Sequence, residues 1–293
     1  MRLTVYAFQY THMIMPITVY TYVYTYKCIP KGEVDMRTIA IVSQKGGVGK
    51  TTTAHALGAG LLLKGKKVLF VDLDGQGNLS FTLRSSRQNS VMSALQRQRP
   101  IAEVIENTGM GTIIPSTAAL IGADAVINMT GKEYRLREAL KPIENDYDYA
   151  ILDTSPTLGI LTVNALTACQ DAIIAAQADI YSVQGIDQLK ETLDAVREYC
   201  NPDISIRGIL LTLFFPRTVV AREATDFMEQ QAHIINTSVF QTRIRESTAI
   251  KEAQIMRQDI FTYAPKSNGS IDYMAFIEEY LAGIEQGGDK HAS

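Results

Sequence analysis

Apolar residues recur along this chain in two rhythms. Short continuous runs predict buried strands at Thr38–Ser43, Lys67–Leu73, Thr112–Pro115, Tyr149–Asp153, Ala172–Ala176 and Ile206–Leu213, with a strand-like stretch at Thr237–Phe240. Between them, spacings of three and four predict helices at Thr51–Lys64, Val91–Glu106, Glu133–Ile143, Ile186–Tyr199, Arg222–Ala232 and Ile271–Ile284. Strands alternating with helices predict the α/β class, a doubly wound and mostly parallel sheet with helices on both faces. Right-handed crossovers then put ligand loops at the carboxyl ends of the strands. There is no internal repeat and no long linker, so residues 36–285 read as a single domain and Gln286–Ser293 as a polar, frayed tail.

Residues 1–35 look foreign to this pattern. Ile17–Tyr26 alternates Thr, Val and Tyr, a strong strand signal with the composition of a sticky edge. The segment lacks the basic start, continuous apolar core and small-residue cleavage site of a signal peptide. Met36 opens Met-Arg-Thr-Ile-Ala-Ile-Val-Ser, which runs directly into the first core strand. Lys31-Gly32-Glu33 is what a purine-rich ribosome-binding stretch would encode. The expectation is that Met36 is the natural start and residues 1–35 are translated leader.

Composition narrows the function classes. The net charge of −3 and pI near 5.9 exclude coating DNA by global charge, so any DNA contact needs a local patch. Cys28, Cys169 and Cys200 are widely spaced and form no Cys-x-x-Cys pair, which argues against a disulfide framework and a zinc site and fits a reducing cytoplasm. No apolar run reaches the roughly 18–20 residues that span a bilayer.

The chemistry concentrates at residues 45–52, Lys-Gly-Gly-Val-Gly-Lys-Thr-Thr, lying between a predicted strand and a predicted helix. That is the context a phosphate-binding loop requires. Gly46, Gly47 and Gly49 let the backbone around Val48 turn tightly against a polyphosphate, and the N–H groups of the loop and of the following helix start, through Thr52, make an anion cradle. Lys50 reaches the β- and γ-phosphates, and Thr51 offers its hydroxyl to Mg²⁺. ATP with Mg²⁺ is therefore the expected ligand pair.

A second lysine, Lys45, opens the loop. Together with Val-Asp-Leu-Asp-Gly-Gln-Gly-Asn at 71–78, Tyr-Asp-Tyr-Ala-Ile-Leu-Asp-Thr-Ser-Pro at 147–156 and Ile-Arg-Glu-Ser-Thr-Ala-Ile-Lys-Glu-Ala-Gln at 244–254, it makes the chain resemble the deviant Walker A ATPases. Within them it is similar to the ParA/Soj partition ATPases from about Met36 to Ile284. The resemblance implies a weak ATPase that dimerises on ATP. Lys45 would cross to the partner's nucleotide, Asp74 would position the attacking water and Asp72 would lie nearer the Mg²⁺ shell. Asp153 would be the Walker B acid that holds Mg²⁺, and Thr154 to Pro156 would sense the γ-phosphate. For Asp74 a turn role competes, since Asp-Gly is a turn signal. Many relatives have Pro where this chain has Gly75, a change that would loosen the loop. The adenine site would fall on the loop after Leu213 and around Thr242–Arg245.

The resemblance further implies non-specific DNA binding by the ATP dimer, with Arg217, Arg243, Arg245, Lys251, Arg257 and Lys266 as candidates, each of which also reads as an ordinary solvated charge. A ParB-like centromere-binding partner would stimulate hydrolysis, and the protein would be cytoplasmic on the nucleoid. Residues 1–35 are too short and too β-like for the operator-reading helix-turn-helix of longer members. A competing reading is a MinD-like membrane-associated positioning ATPase, or one that positions a protein cargo. Residues 271–285 are acidic and would be repelled by anionic lipid, which disfavours the membrane. An iron–sulfur reductase would need cysteines placed elsewhere. A tyrosine kinase of similar loop type would carry its tyrosine cluster at the other terminus.

Overall fold

The computed structural model describes residues 36–215 and 219–288. The segment 1–35, Arg217 and residues 289–293 lie outside the described residues. In chain order the elements are β1 (Arg37–Val42), α1 (Lys50–Leu63), β2 (Val68–Leu73), α2 (Asn78–Thr82), α3 (Val91–Leu95), β3 (Glu106–Asn107), β4 (Thr112–Ile114), α4 (Ala123–Val126) and α5 (Arg135–Leu140). There follow β5 (Tyr149–Thr154), α6 (Ile160–Ala168), β6 (Asp171–Gln177), α7 (Ile180–Tyr199), β7 (Ser205–Thr212), α8 (Val219–Ile234), α9 (Thr248–Met256), α10 (Ile260–Tyr263) and α11 (Asn268–Gly288).

Seven strands form one sheet in the order β3-β4-β2-β5-β1-β6-β7. Every neighbouring pair is parallel except β3 with β4. The strands read as unbroken apolar runs because both faces are covered. Alternate residues supply two cores. Ala40, Val42, Val71, Leu152 and Ile174 meet α3, α5, α6, α7 and α8 on one face, while Ile39, Ile41, Phe70, Ile151 and Ile173 meet α1, α9, α10 and α11 on the other.

Several elements depart from expectation. The helix expected over Val91–Glu106 stops at Leu95, since Arg97 takes a left-handed φ of 58° and Pro100 follows. The helix expected over Glu133–Ile143 is helical only over Arg135–Leu140, flanked by 3₁₀ turns, the second of them carrying Pro142. Thr237–Phe240 makes an isolated bridge, Ile209 to Val239, rather than a strand. α7 starts at Ile180 instead of Ile186, because the Asp179 side chain caps it by accepting from Ser182 N at 2.9 Å. α11 runs on to Gly288, past the Ile284 expected.

At the amino ends of the strands a fully buried carboxylate, Asp171, collects four hydrogen bonds. It accepts from Arg37 Nε at 2.5 Å, Arg37 Nη2 at 3.1 Å, Arg207 Nε at 2.6 Å and the Tyr280 hydroxyl at 2.6 Å. This ties β1, β6, β7 and α11 together at the end remote from the phosphate loop.

Candidate nucleotide site

The loop between β1 and α1 turns through Gly47 at φ 75° and Gly49 at φ 84°, a region L side chains rarely enter. No side chain caps α1, so its first N–H groups stay available to an anion. Thr53 N closes the first helical turn onto Gly49 O at 2.8 Å. Val48 contributes backbone: its side chain is in the core and its carbonyl accepts from Thr212 Oγ1 at 2.6 Å, pinning the loop to the end of β7. Lys50 is 7% exposed, and Nζ donates to Lys45 O at 3.0 Å. Burial lowers its pKa, and the Asp153 and Asp74 carboxylates oppose that shift.

Asp72 and Asp153 sit opposite one another in the β2–β5 register, both fully buried. Their situations differ. Asp72 accepts from Ser80 N at 2.8 Å, Ser80 Oγ at 2.7 Å and Asp74 N at 3.1 Å, so it fastens the turn after β2. Burial nonetheless pushes it up to about 6. Neither Asp153 oxygen has a partner in good hydrogen-bond geometry among the described residues, although the Thr51 hydroxyl is close enough to favour the ionised form. Burial first, and Asp72 next, hold its carboxyl well above the ordinary range. An orphaned carboxylate beside Thr51 and Lys50 is costly unless a cation joins it. Among the described residues no group of three or more His, Cys, Asp or Glu forms a protein-only cage. Thr51 and Asp153 thus fit a Mg²⁺ ion that draws its remaining oxygens from phosphate and water.

The cleft in front of the loop has a volume of about 670 Å³, within the range of small-molecule sites. It takes in Gly46, Gly47, Gly49, Lys50, Thr51 and Thr52 from the loop and helix start, Asp74 and Gln76 from the turn after β2, and Pro156. Asp74 makes the turn contact and also lines the cleft. Oδ1 accepts from Gln76 N at 3.0 Å, as a turn residue would, while the residue faces the cleft. Of Thr154 to Pro156, only Pro156 lines the cleft; the Thr154 hydroxyl donates to Ile41 O at 2.8 Å and serves the sheet. Gly75 does not merely loosen the loop. A Cβ there would stand 2.7 Å from Ile121 Cγ1 and 3.1 Å from Ile121 N, so the glycine lets the 118–122 turn close over it.

The far wall was not anticipated. Phe81 of α2 and Lys251, Gln254 and Ile255 of α9 line the cleft, and Gln254 Nε2 donates to Thr52 Oγ1 at 2.7 Å. The signal for α9 was present: Ser247 at the N-cap position, then Ala249, Ile250 and Ala253 on one face.

Lys45 is turned toward its own subunit. Its ammonium pairs with Asp179, donates to Gln177 Oε1 at 2.7 Å and lies 6.0 Å from the Tyr181 ring centroid. The two segments expected to flank adenine do meet: Phe214 N donates to Ile244 O at 2.9 Å, and the Arg243 guanidinium lies 4.9 Å from the Phe214 ring centroid.

Of the DNA candidates that the structure describes, four have partners within the chain. Arg243 stacks on Phe214, and Arg245 is held by Asp272 through Nη2 at 2.6 Å and Nε at 2.9 Å. Lys251 stands at the cleft, paired with Glu246 at 2.7 Å. Arg257 lies at the far end of α9, 3.6 Å from the Phe81 ring centroid, and Lys266 is exposed elsewhere.

Residues 36–206 match the AAA domain family. The chromosome partitioning protein ParA of Myxococcus xanthus is 37% identical over 251 residues, covering 84% of this chain and 88% of that protein. The sporulation initiation inhibitor protein Soj of Bacillus subtilis is 36% identical over 252 residues, covering 84% and 98%. Among solved structures, a protein described as cobyrinic acid a,c-diamide synthase from Mycobacterium smegmatis, with bound ADP and magnesium, superposes with a TM-score of 0.74 at 33% identity, covering 86% of this chain and 96% of that one.

Proposed function

The chain belongs to the ParA/Soj family of partition ATPases, and from that premise we propose an ATP-driven dimerising switch that distributes DNA. Lys50 and the loop amides hold the polyphosphate of ATP. Thr51 and Asp153 hold Mg²⁺, which when bound neutralises charge on the phosphates. Asp72, committed to Ser80 and Asp74, sets the shape of the turn rather than ligating metal directly. Asp74, which lines the cleft, orients the water that attacks the terminal phosphate to give ADP and phosphate.

The observation that carries the dimer reading is the rim of the cleft. Phe81 and Ile255, 49% and 78% exposed, line the phosphate site itself, and Ile121, 71% exposed, covers Gly75 beside it. Apolar side chains at the mouth of a charged cleft suit a face that closes on a second copy. Lys45 would then swap Asp179 for the partner's triphosphate. DNA phosphates would be met by Lys266 and other basic residues doubled across the dimer, with steep salt dependence, and a ParB-like partner would stimulate hydrolysis on the nucleoid.

The membrane alternative is disfavoured. The apolar face of α11 is already spent inside the fold through Tyr273, Phe276, Ile277 and Tyr280, and no helix among the described residues is long and apolar enough to cross a membrane.

The test is sedimentation and DNA retention for wild type, Lys50→Ala and Asp74→Ala, with a non-cleavable triphosphate, ADP or no nucleotide, at two salt concentrations. Wild type should dimerise and hold DNA only with the triphosphate, Lys50→Ala should do neither, and Asp74→Ala should dimerise but not hydrolyse. A wild-type protein that stays monomeric with saturating triphosphate and Mg²⁺ sinks the reading.

A further inference from the structure

A second cleft, of about 340 Å³, opens between the end of α3 and α5 and shares no residue with the phosphate cleft. Its walls include Ile101 and Ala139, three arginines at 97, 99 and 135, and one acid, Glu138. Two of the arginines have partners. Arg97 pairs with Glu138 at 2.5 Å, both side chains at least half exposed, and Arg99 Nη1 donates to Asn89 Oδ1 at 3.1 Å.

Arg135 is different. It is 7% exposed, yet among the described residues its side chain has no hydrogen bond and no ion pair. None of its nitrogens is sealed from solvent, so they reach outward through the cleft it lines. With no protein partner its nitrogens are met by water, which an anion entering the cleft would displace. The planar fork of Arg135 suits two oxygens of one carboxylate or phosphate.

We propose that this cleft is a binding site for a small oxyanion, a carboxylate or phosphate group, held by Arg135 and Arg99, with the apolar body of the ligand against Ile101 and Ala139. The Arg97–Glu138 pair stands at the mouth, where its exposure lets it open to admit the ligand. The volume, near the lower end for small-molecule sites, suits a dicarboxylate or a phosphate ester. The proposal stands independently of the ATPase mechanism.

The test uses the full chain labelled with ¹⁵N-arginine and saturated with Mg²⁺ and ADP, so that the phosphate loop is filled. Succinate, inorganic phosphate and a short glutamate-containing peptide are titrated in turn, against sodium chloride at matched ionic strength. The Arg135 Nε–H resonance, assigned by its loss in Arg135→Lys, should shift saturably with succinate or phosphate. Arg99→Gln, a change at an exposed residue, should weaken that binding about tenfold while ATP hydrolysis is unchanged. A shift that follows ionic strength without saturating overturns the proposal, as does unchanged affinity in Arg99→Gln. Saturation by the peptide alone overturns the small-ligand assignment in favour of an acidic protein partner.

Discussion

Lys45 offers the sharpest prediction. In the isolated chain its ammonium is paired with Asp179, the side chains 26% and 31% exposed. Burial raises the Asp179 pKa, but hydrogen bonds from Lys45 and the Ser182 amide outweigh it and hold the carboxyl below its ordinary value, so Asp179 is ionised at neutral pH. If Lys45 must cross to a partner's triphosphate, each subunit first gives up this pair. A partly exposed pair of this kind is worth about 1 kcal/mol after screening. Two are broken per dimer, so Asp179→Asn should tighten ATP-dependent dimerisation about 30-fold. Asparagine is as good a helix N-cap as aspartate, so the start of α7, where Asp179 accepts from Ser182 N at 2.9 Å, should survive the change. The assay is sedimentation equilibrium with a non-cleavable triphosphate and Mg²⁺, alongside thermal melts without nucleotide. An equal or weaker dimer with an unchanged melting temperature would refute the idea that Asp179 restrains Lys45.

Three further outcomes are expected. Burial lowers His55 to about 4, so its stabilising share is complete above roughly pH 6.5 and is lost toward pH 4, whereas Asp72, raised to about 6, stabilises fully below roughly pH 4 and loses its share toward pH 6. These slopes oppose, so His55→Phe should make metal-free protein lose on the order of 3 kcal/mol between pH 4 and 6 from Asp72 alone, with Asp153 acting in the same direction, read from urea midpoints; a flat profile would contradict it. Asp153→Asn removes a buried carboxyl whose ionisation burial and Asp72 oppose, and should raise nucleotide-free stability by about 1–3 kcal/mol while abolishing the Mg²⁺ dependence of ATP binding, measured by melts and calorimetry. Gly75→Ala should cost about 1 kcal/mol through its clash with Ile121, and Gly75→Ala with Ile121→Ala should recover most of it; absence of coupling in the double-mutant cycle would show that the turn simply moves aside.

Much of this architecture was legible in the sequence. Strands buried on both faces announce themselves as unbroken apolar runs, and the glycine-rich loop fixed the register of chemistry along β1 and α1. What was missed follows from physics that periodicity cannot see. α6 is apolar on nearly every side because it is buried all round, so no stripe marks it. The break after Leu95 depends on one left-handed arginine, a conformation no propensity predicts. At the site, the type and spacing of Asp72, Asp74 and Asp153 were readable, but their division of labour was not. Only the partners of each oxygen separate the clamped Asp72 from the unpaired Asp153.

The hub at Asp171 gives the strands two unlike ends. β6 begins in a carboxylate paired with Arg37 and Arg207 and hydrogen-bonded by Tyr280, and finishes at Gln177, which holds Lys45. One terminus of the sheet is therefore a fixed pedestal and the other a field of loosely committed charges. Damage along a single strand should change in kind with position, breaking the molecule at its base and its responsiveness at its crown.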